Sequence, residues 1–534
     1  MRRWNGWGEE TIDARLPEAA RKFLREAIGE AAAPKDSALA DVLAGVGPSR
    51  LPERRLVSRD AEARLRASLG QSCEDWLRLR FGHLGPVVDG VAYPDTEDEV
   101  REVLDWARNV GALSIPVGGA TSVVGHLTPG DGSRPSLAVV MTRLRRLIRL
   151  DPLSQLATFE AGVAGSDLEA QLRAQGFMLG HYPQSFDCST LGGWIATRSS
   201  GQQSARYGRI EALFAGGRIE TPTGALEIPA FPASAAGPDL REWVLGSEGR
   251  IGIITRATVR ITRLPEREMF LGYFLPSWEA GVAATRELAQ ARIGLSMTRL
   301  ANAAETLATL RLAGGGRAVA WLERYLALRG YGKERILLLI GLTGGSTQVE
   351  AMRMQAAAVL SRRGAVSTGA LIGRKWRANR FKSAYLRNAL WSAGYAAETM
   401  ETAVDWPRVT AMVQAIETAG RDALARLDEK CHAQTHLSHV YPQGSSVYST
   451  FVFRIGPDFD ASLRRWRALK QAVSEAIVRE GGTISHQHGV GKHHSRYLAA
   501  EKGERGVRAL RAVVEHFDPE GALDSRDLLP ERPQ

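Results

Sequence analysis

The sequence predicts an α+β protein with two main domains behind an N-terminal helical extension. Three observations carry this. From about residue 86 to 265, short β-branched runs alternate with helical patterns. Beyond 265 the helices lengthen and the strand-like runs lose the strict βαβ beat, which suggests an α+β layer. Three glycine-rich stretches, at 116–125, 190–201 and 246–254, all fall in the first of these regions. A chain of 534 residues is long enough for two or three cores of ordinary size.

Taken in order, residues 1–85 mix short helical patterns (16–28 and 60–80) with Pro and Gly breaks. The runs 87–91 and 113–117 read as strands, separated by a helix over 96–110. Thr96 is its expected N-cap, Glu99 the reciprocal half of a capping box, and Gly111 its stop. Further strands are expected over 137–141 and 157–161, a helix over 165–175, and a β-branched run over 251–261. In the second region the periodicity predicts helices over 280–292, 349–363, 406–427 and 463–480, and strands over 336–342 and 447–453. A last amphipathic helix over 506–516 stops at Phe517-Asp518-Pro519-Glu520-Gly521. The expected division is therefore a 1–85 extension, an 86–265 domain, a 266–500 domain, and a 501–534 segment packing back on the 86–265 domain.

With 44% hydrophobic and 24% charged residues, the chain has the composition of an ordinary globular protein. Its formal charge of +10 is spread out rather than run in blocks, which argues against a nucleic-acid arm. Two readings remain open: an arginine- and alanine-rich background, or a surface that attracts anionic lipid or a phosphorylated substrate. Cys73, Cys188 and Cys431 are too scattered for a disulfide framework or a cysteine zinc site, so a reducing compartment is expected. No transmembrane segment and no signal peptide are expected, which points to the cytoplasm or a peripheral position on the inner face of a membrane.

Pro116-Val117-Gly118-Gly119-Ala120-Thr121-Ser122 follows an expected strand, and its glycines and hydroxyls suit an anion such as a pyrophosphate. It matches neither G-x-G-x-x-G nor a P-loop, and a tight β-turn explains it equally well taken alone. Gln184-Ser185-Phe186-Asp187-Cys188-Ser189-Thr190 and Thr197-Arg198-Ser199-Ser200 supply a second such loop. Glu248-Gly249-Arg250-Ile251-Gly252-Ile253-Ile254 supplies a third. Near the C-terminus, Ile484-Ser485-His486-Gln487-His488-Gly489-Val490-Gly491-Lys492 sets two imidazoles beside two glycines, where side chains can be held against a flat ligand. His493 and His494 extend that cluster, but no carboxylate or cysteine stands at ligand spacing, so no metal site is expected.

These segments resemble the vanillyl-alcohol-oxidase and p-cresol-methylhydroxylase type of FAD-binding domain. More closely, the chain resembles the alkyldihydroxyacetonephosphate synthase (alkylglycerone-phosphate synthase) family. The likeness runs from Arg3-Trp4-Asn5-Gly6-Trp7-Gly8 through Pro116–Ser122, Ser189–Gly201, Tyr207-Gly208 and Gly246–Gly252 to His486–Lys492. The resemblance implies non-covalent FAD and an exchange of the acyl chain of acyl-dihydroxyacetone phosphate for a fatty alcohol. In that exchange a flavin nitrogen traps the substrate carbon and no net redox occurs. Peripheral membrane contact and a homodimer are further expectations; a nucleic-acid partner is not.

Residue by residue, the resemblance places the phosphate-binding arginine at Arg387 in Tyr385-Leu386-Arg387-Asn388, and the catalytic tyrosine at Tyr448. It also places Arg299, His486 and His488 among the catalytic residues. One departure is Gln487, which stands where the family has the middle of three histidines; it can hydrogen-bond but not titrate. The alternative is an FAD-linked D-2-hydroxy-acid dehydrogenase. Those proteins carry His-x-Gly-Asp-Gly-Asn-x-His where this chain has His439 through Tyr448 without the Gly-Asp-Gly-Asn core.

Overall fold

In the computed structural model, residues 2–312, 317–523 and Leu529 are described, and they sort into two compact units. One comprises 2–34, 202–207 and 265–486; the other comprises 35–201, 208–264 and 487 onward. The N-terminal 85 residues are thus shared between the two, with 2–34 in one and 35–85 in the other. The 501–534 segment contributes the end of the helix Leu498–Phe517 to the second unit, and its residues 524–528 and 530–534 lie outside the described ones.

The second unit is built on two sheets. Val57–Ser58, Gly90–Ala92, Ser136–Val140 and Leu113–Val117 form a four-stranded sheet in that spatial order, with parallel pairing between Gly90–Ala92 and Ser136–Val140 and between Leu113–Val117 and Ser136–Val140. The crossover helix Glu97–Asn109 buries Val100, Val103, Leu104 and Ala107 against it, as the 3.6-residue period requires. Thr96 caps this helix by accepting from the Glu99 N–H, but Glu99 reaches past the cap to the Asp95 N–H, so the expected capping box is replaced by a wider loop.

The second sheet corrects the alternating reading. Leu147–Asp151, Leu156–Glu160, Ile253–Arg260, Phe214–Thr221 and Gly224–Ile228 pair antiparallel throughout, so the βαβ beat holds only over 90–140. The single helical pattern expected over 60–80 is also two helices, Ala61–Ser68 and Cys73–Phe81. Between them the Gln71 N–H donates to the Ser122 carbonyl and Gly70 packs so closely on that carbonyl that a Cβ would come within 2.6 Å. Ser72 and Asp75 then restart the helix with a full capping box.

The first unit holds a seven-stranded antiparallel sheet. Its spatial order is Val366–Ser367, Arg267–Leu275, Ile336–Gly344, Met297–Ala301, Cys431–Leu437, Gly444–Arg454 and Tyr395–Asp405. Two long helices, Val409–Ala425 and Phe459–Arg479, cover the last three strands. On that covered side, Glu398 accepts from the Lys470 ammonium (3.0 Å) and the Trp466 indole (2.9 Å), all buried. The N-terminal helix Glu18–Ile28 lays Leu24 and Ile28 against Ala389, Tyr395 and Val452.

The Glu398–Lys470 pair pins the edge strand 395–405 to its helix. Removing one buried partner leaves the other charge uncompensated, a loss of about 3–5 kcal/mol. Glu398→Ala is expected to lower the thermal unfolding temperature sharply, and Lys470→Met in the same protein to recover most of it. An unchanged melting temperature for Glu398→Ala would show that the pair is not buried in solution.

Candidate active site

In the 2–34/265–486 unit the sheet face turned away from the helices Val409–Ala425 and Phe459–Arg479 gathers the titratable groups. Register puts His436 opposite Tyr448 and Tyr448 opposite Glu401, so all three side chains leave the same face. Ala301 pairs with His436, which puts Arg299, two residues away, on that face as well. The His436 and Tyr448 rings stack at 4.9 Å with planes 22° apart.

Behind them lies a charged pair that the sequence did not announce. Glu305 Oε2 is 2.9 Å from His436 Nδ1, and Glu305 Oε1 accepts from Arg299 at 2.6 Å. Arg299 Nη1 also donates to His436 Nε2 at 3.0 Å. Arg299 Nη2 lies equally near Nδ1, at 3.0 Å, so the guanidinium faces both ring nitrogens. Burial would raise the Glu305 carboxyl, but His436 and Arg299 more than offset this and hold it at about 2. Burial, helped by the Arg299 charge, lowers His436. The trio is therefore a carboxylate, a neutral imidazole and a guanidinium. Tyr448 is pushed up to about 12, chiefly by burial, although Thr399 and the charges of Arg299 and Arg387 act the other way.

Further along the face, Glu401 accepts from Ser485 Oγ at 2.9 Å and from the His486 backbone N–H at 2.8 Å. His486 Nε2 meets the Tyr441 hydroxyl at 2.7 Å, and its ring stacks on His439 at 5.1 Å. Ser204 in turn holds His439 Nδ1 at 3.1 Å. Arg387 lies on the short helix Leu386–Ser392, near enough for its charge to act on Tyr448. Of the residues expected from the sequence, Arg299, Arg387, Tyr448 and His486 thus fall in one unit. His436, Glu305, Glu401 and Tyr441 were missed: the strands of His436 and Glu401 are too polar to read as strands, Glu305 lies on the helix Ala303–Leu312, and Tyr441 lies outside any strand.

The other unit collects the glycine-rich loops. Gly118 and Gly119 let the first loop meet the second almost backbone to backbone. A Cβ on Gly119 would fall 1.9 Å from the Cys188 carbonyl oxygen, and one on Gly118 would fall 2.4 Å from Thr190 Oγ1. Thr190 caps the helix Leu191–Thr197, and Cys188 is buried. Ala120, Arg198 and Glu248, one in each loop, adopt left-handed backbone at φ 52–53°. Such strain in non-glycine residues persists where surrounding structure over-determines it, commonly at ligand sites. Arg250 folds back on the carbonyls of Gly246 and Ser247 and braces its own loop.

Glu248 also reaches the C-terminal motif. Its carboxylate accepts from the Val490 N–H (2.5 Å) and the Gly491 N–H (3.0 Å), and lies 3.1 Å from His126 Nε2. Burial opposes its ionisation, yet His126 and these N–H groups hold it at about 2. Ser122 Oγ holds His126 Nδ1 at 2.7 Å, so the first loop, the third loop and the turn 489–491 share one network. Gly489 and Gly491, both at positive φ, have no space for a Cβ beside Glu248 and Val124. His493 pairs with Glu74 at 3.6 Å.

Comparison with known proteins identifies the cofactor. Residues 88–228 match the family described as "FAD binding domain", and residues 264–527 match "FAD linked oxidases, C-terminal domain". The two matches together cover most of the chain and mark it as a flavoprotein with an FAD-binding fold. FAD is its cofactor, and the joined loops of the 35–264 unit fit a dinucleotide through backbone N–H groups held close together by glycine. Similar proteins include the alkyldihydroxyacetonephosphate synthase of Trypanosoma brucei brucei, 28% identical over 99% of this chain and 93% of that one. A solved alkyldihydroxyacetonephosphate synthase structure is 25% identical and superposes with a TM-score of 0.85 over 98% of both chains. A p-cresol methylhydroxylase structure, 14% identical with a TM-score of 0.64 over 97% of this chain and 99% of that one, shares the fold.

Two tests follow from the buried carboxylates. Glu305 sits at about 2 in the folded protein against an ordinary 4.5. Its stabilising contribution is therefore complete above the ordinary value and disappears as pH falls towards 2. The melting-temperature gap between wild type and Glu305→Gln is expected to be wide at neutral pH and to close on acidification; a gap independent of pH would contradict an ionised Glu305. Glu248→Ala leaves two N–H groups and His126 without their acceptor, so it is expected to retain less FAD through gel filtration than wild type. Equal retention would mean that Glu248 does not shape the cofactor site.

Proposed function

We propose that this flavoenzyme is an alkylglycerone-phosphate synthase, exchanging the acyl chain of acyl-dihydroxyacetone phosphate for a fatty alcohol. The observation that carries this reading is the sheet face bearing Tyr448, His436 and Arg299, with Glu305 bonded to it and the charge of Arg387 acting on Tyr448, which combines proton-handling groups with arginine. It is supported by near full-length similarity to proteins of that name. In the exchange, the bond between the substrate C1 and the acyl oxygen breaks, a carboxylate leaves, and the alcohol oxygen bonds to C1 with loss of its proton.

FAD, held by the glycine-rich loops, would supply a nucleophilic ring nitrogen for this exchange. The rest falls to the chain. Arg387 takes the phosphate, since a guanidinium fork matches two phosphate oxygens. Tyr448, held protonated by its pKa near 12, has a phenol proton to give and can regain one from the substrate or alcohol. His436 faces the phenol ring and is kept neutral, while Glu305 and Arg299 hold its ring in place. Glu401 and Tyr441 orient His486. We assign His488 and the three loops to the flavin, which is bound without a covalent link.

The direct test is to incubate FAD-loaded protein with palmitoyl-dihydroxyacetone phosphate and labelled hexadecanol, and in parallel with a D-2-hydroxy acid and a dye acceptor. Labelled ether product is expected in the first and no dye reduction in the second; the reverse pattern would overturn the synthase reading. Tyr448→Phe is expected to keep its FAD and fold while turnover falls on the order of 100-fold, the scale of positioned proton transfer. Unchanged turnover would remove Tyr448 from the chemistry. Gln487→His tests position 487: little change is expected if the side chain only hydrogen-bonds, and higher activity if a titrating group is needed.

A further inference from the structure

The Trp-Asn-Gly-Trp-Gly segment lies more than 370 residues from Arg387 in sequence, yet it is bonded to the residues on either side of it. The Trp7 N–H donates to Asn388 Oδ1 at 3.0 Å, and Asn388 Nδ2 donates back to the Trp7 carbonyl at 2.9 Å. Both residues are buried, so this reciprocal pair is shielded from competing water. On the other side of Arg387, the Glu9 N–H donates to the Tyr385 hydroxyl at 3.2 Å. Gly8 lies against the same ring: a Cβ there would stand 2.3 Å from Tyr385 Oη and 2.4 Å from Cζ. Its φ of +73° is also one that side chains rarely adopt.

The segment is itself closed. The Arg3 N–H donates to the Gly8 carbonyl at 2.8 Å, Arg2 bridges Glu9, and the Arg3 guanidinium reaches the carbonyls of Glu10 and Ile12. A tied loop thus grips Tyr385 and Asn388, leaving Arg387 between them. The element that carries Arg387 needs such support. The helix Leu386–Ser392 is seven residues long, follows the single 3₁₀ turn Lys382–Tyr385, and has no side-chain cap. A helix this short does not hold itself in water. An arginine side chain gives up rotamer freedom when it binds, and less remains to be ordered when its backbone is already in place.

We propose that residues 3–9 are a positioning clamp for Arg387 and so set the affinity for the phosphorylated substrate. The proposal rests on the reading of Arg387 as the phosphate ligand. Trp7, Gly8, Tyr385 and Asn388 act through Arg387 rather than by touching substrate.

The test is calorimetric titration of FAD-loaded protein with dihydroxyacetone phosphate, which needs no turnover, alongside KM for hexadecanol. Gly8→Ala and Asn388→Ala are expected to weaken dihydroxyacetone phosphate about tenfold, or 1.4 kcal/mol. FAD content and the alcohol KM should hold. In an Arg387→Ala background neither change is expected to weaken binding further. Tyr385→Phe removes only the Glu9 bond and keeps the ring, so it is expected to fold normally and show a smaller, same-sign loss; it carries the test should Gly8→Ala fail to fold. Full phosphate affinity in these variants, or losses that add to that of Arg387→Ala, would overturn the clamp. If Arg387→Ala itself binds dihydroxyacetone phosphate like wild type, the phosphate reading falls and the clamp with it. A wild type that binds the phosphate and shows the clamp effects but forms no ether product would leave the clamp standing and overturn the synthase reading alone.

Discussion

Two buried carboxylates, one in each unit, bind backbone N–H groups within residues 484–492. Glu401 takes Ser485 and the His486 N–H; Glu248 takes the N–H groups of Val490 and Gly491. Each is an anion deep in its own unit, made tolerable by several donors, the condition under which a buried charge is stable. The glycines at 489 and 491 are what allow the chain to come close enough to Glu248 for those bonds to form. The motif is therefore as much a backbone feature as a pair of histidines.

The strand register carries comparable weight. Tyr448 faces His436 on one neighbour and Glu401 on the other, and a slip of one residue would turn each of them to the helix-covered side. That side is specified just as strongly, since Glu398, Trp466 and Lys470 are matched there and Thr435 binds Glu417 at 2.7 Å. Both faces of these strands are thus polar in sequence yet fully assigned in space.

This explains what could and could not be read in advance. The apolar strand 336–344 and the long helices were legible because burial imposes periodicity. The strands Tyr395–Asp405 and Cys431–Leu437 were not, because Glu398, Glu401, Thr435 and His436 break the apolar pattern. The antiparallel sheet that includes 147–160 and 214–228 read as βα alternation because strand direction is not encoded in side-chain period. Glu305 was invisible for a simpler reason: one carboxylate on a helix resembles every other until a fold sets it beside an imidazole.

By itself the sequence pointed to the family and to FAD, and singled out the glycine-rich loops and Arg299, Arg387, Tyr448 and His486 as candidates, because glycine spacing and rare local motifs are properties of contiguous residues. Tertiary structure alone decided the protonation and partners of those groups. The neutral His436, the anionic Glu305 and the protonated Tyr448 follow from burial and neighbouring charge, which are functions of distance in space. The docking of residues 3–9 around Arg387 belongs to the same class: hydrogen bonds formed across more than 370 residues of chain leave no periodic trace in either partner.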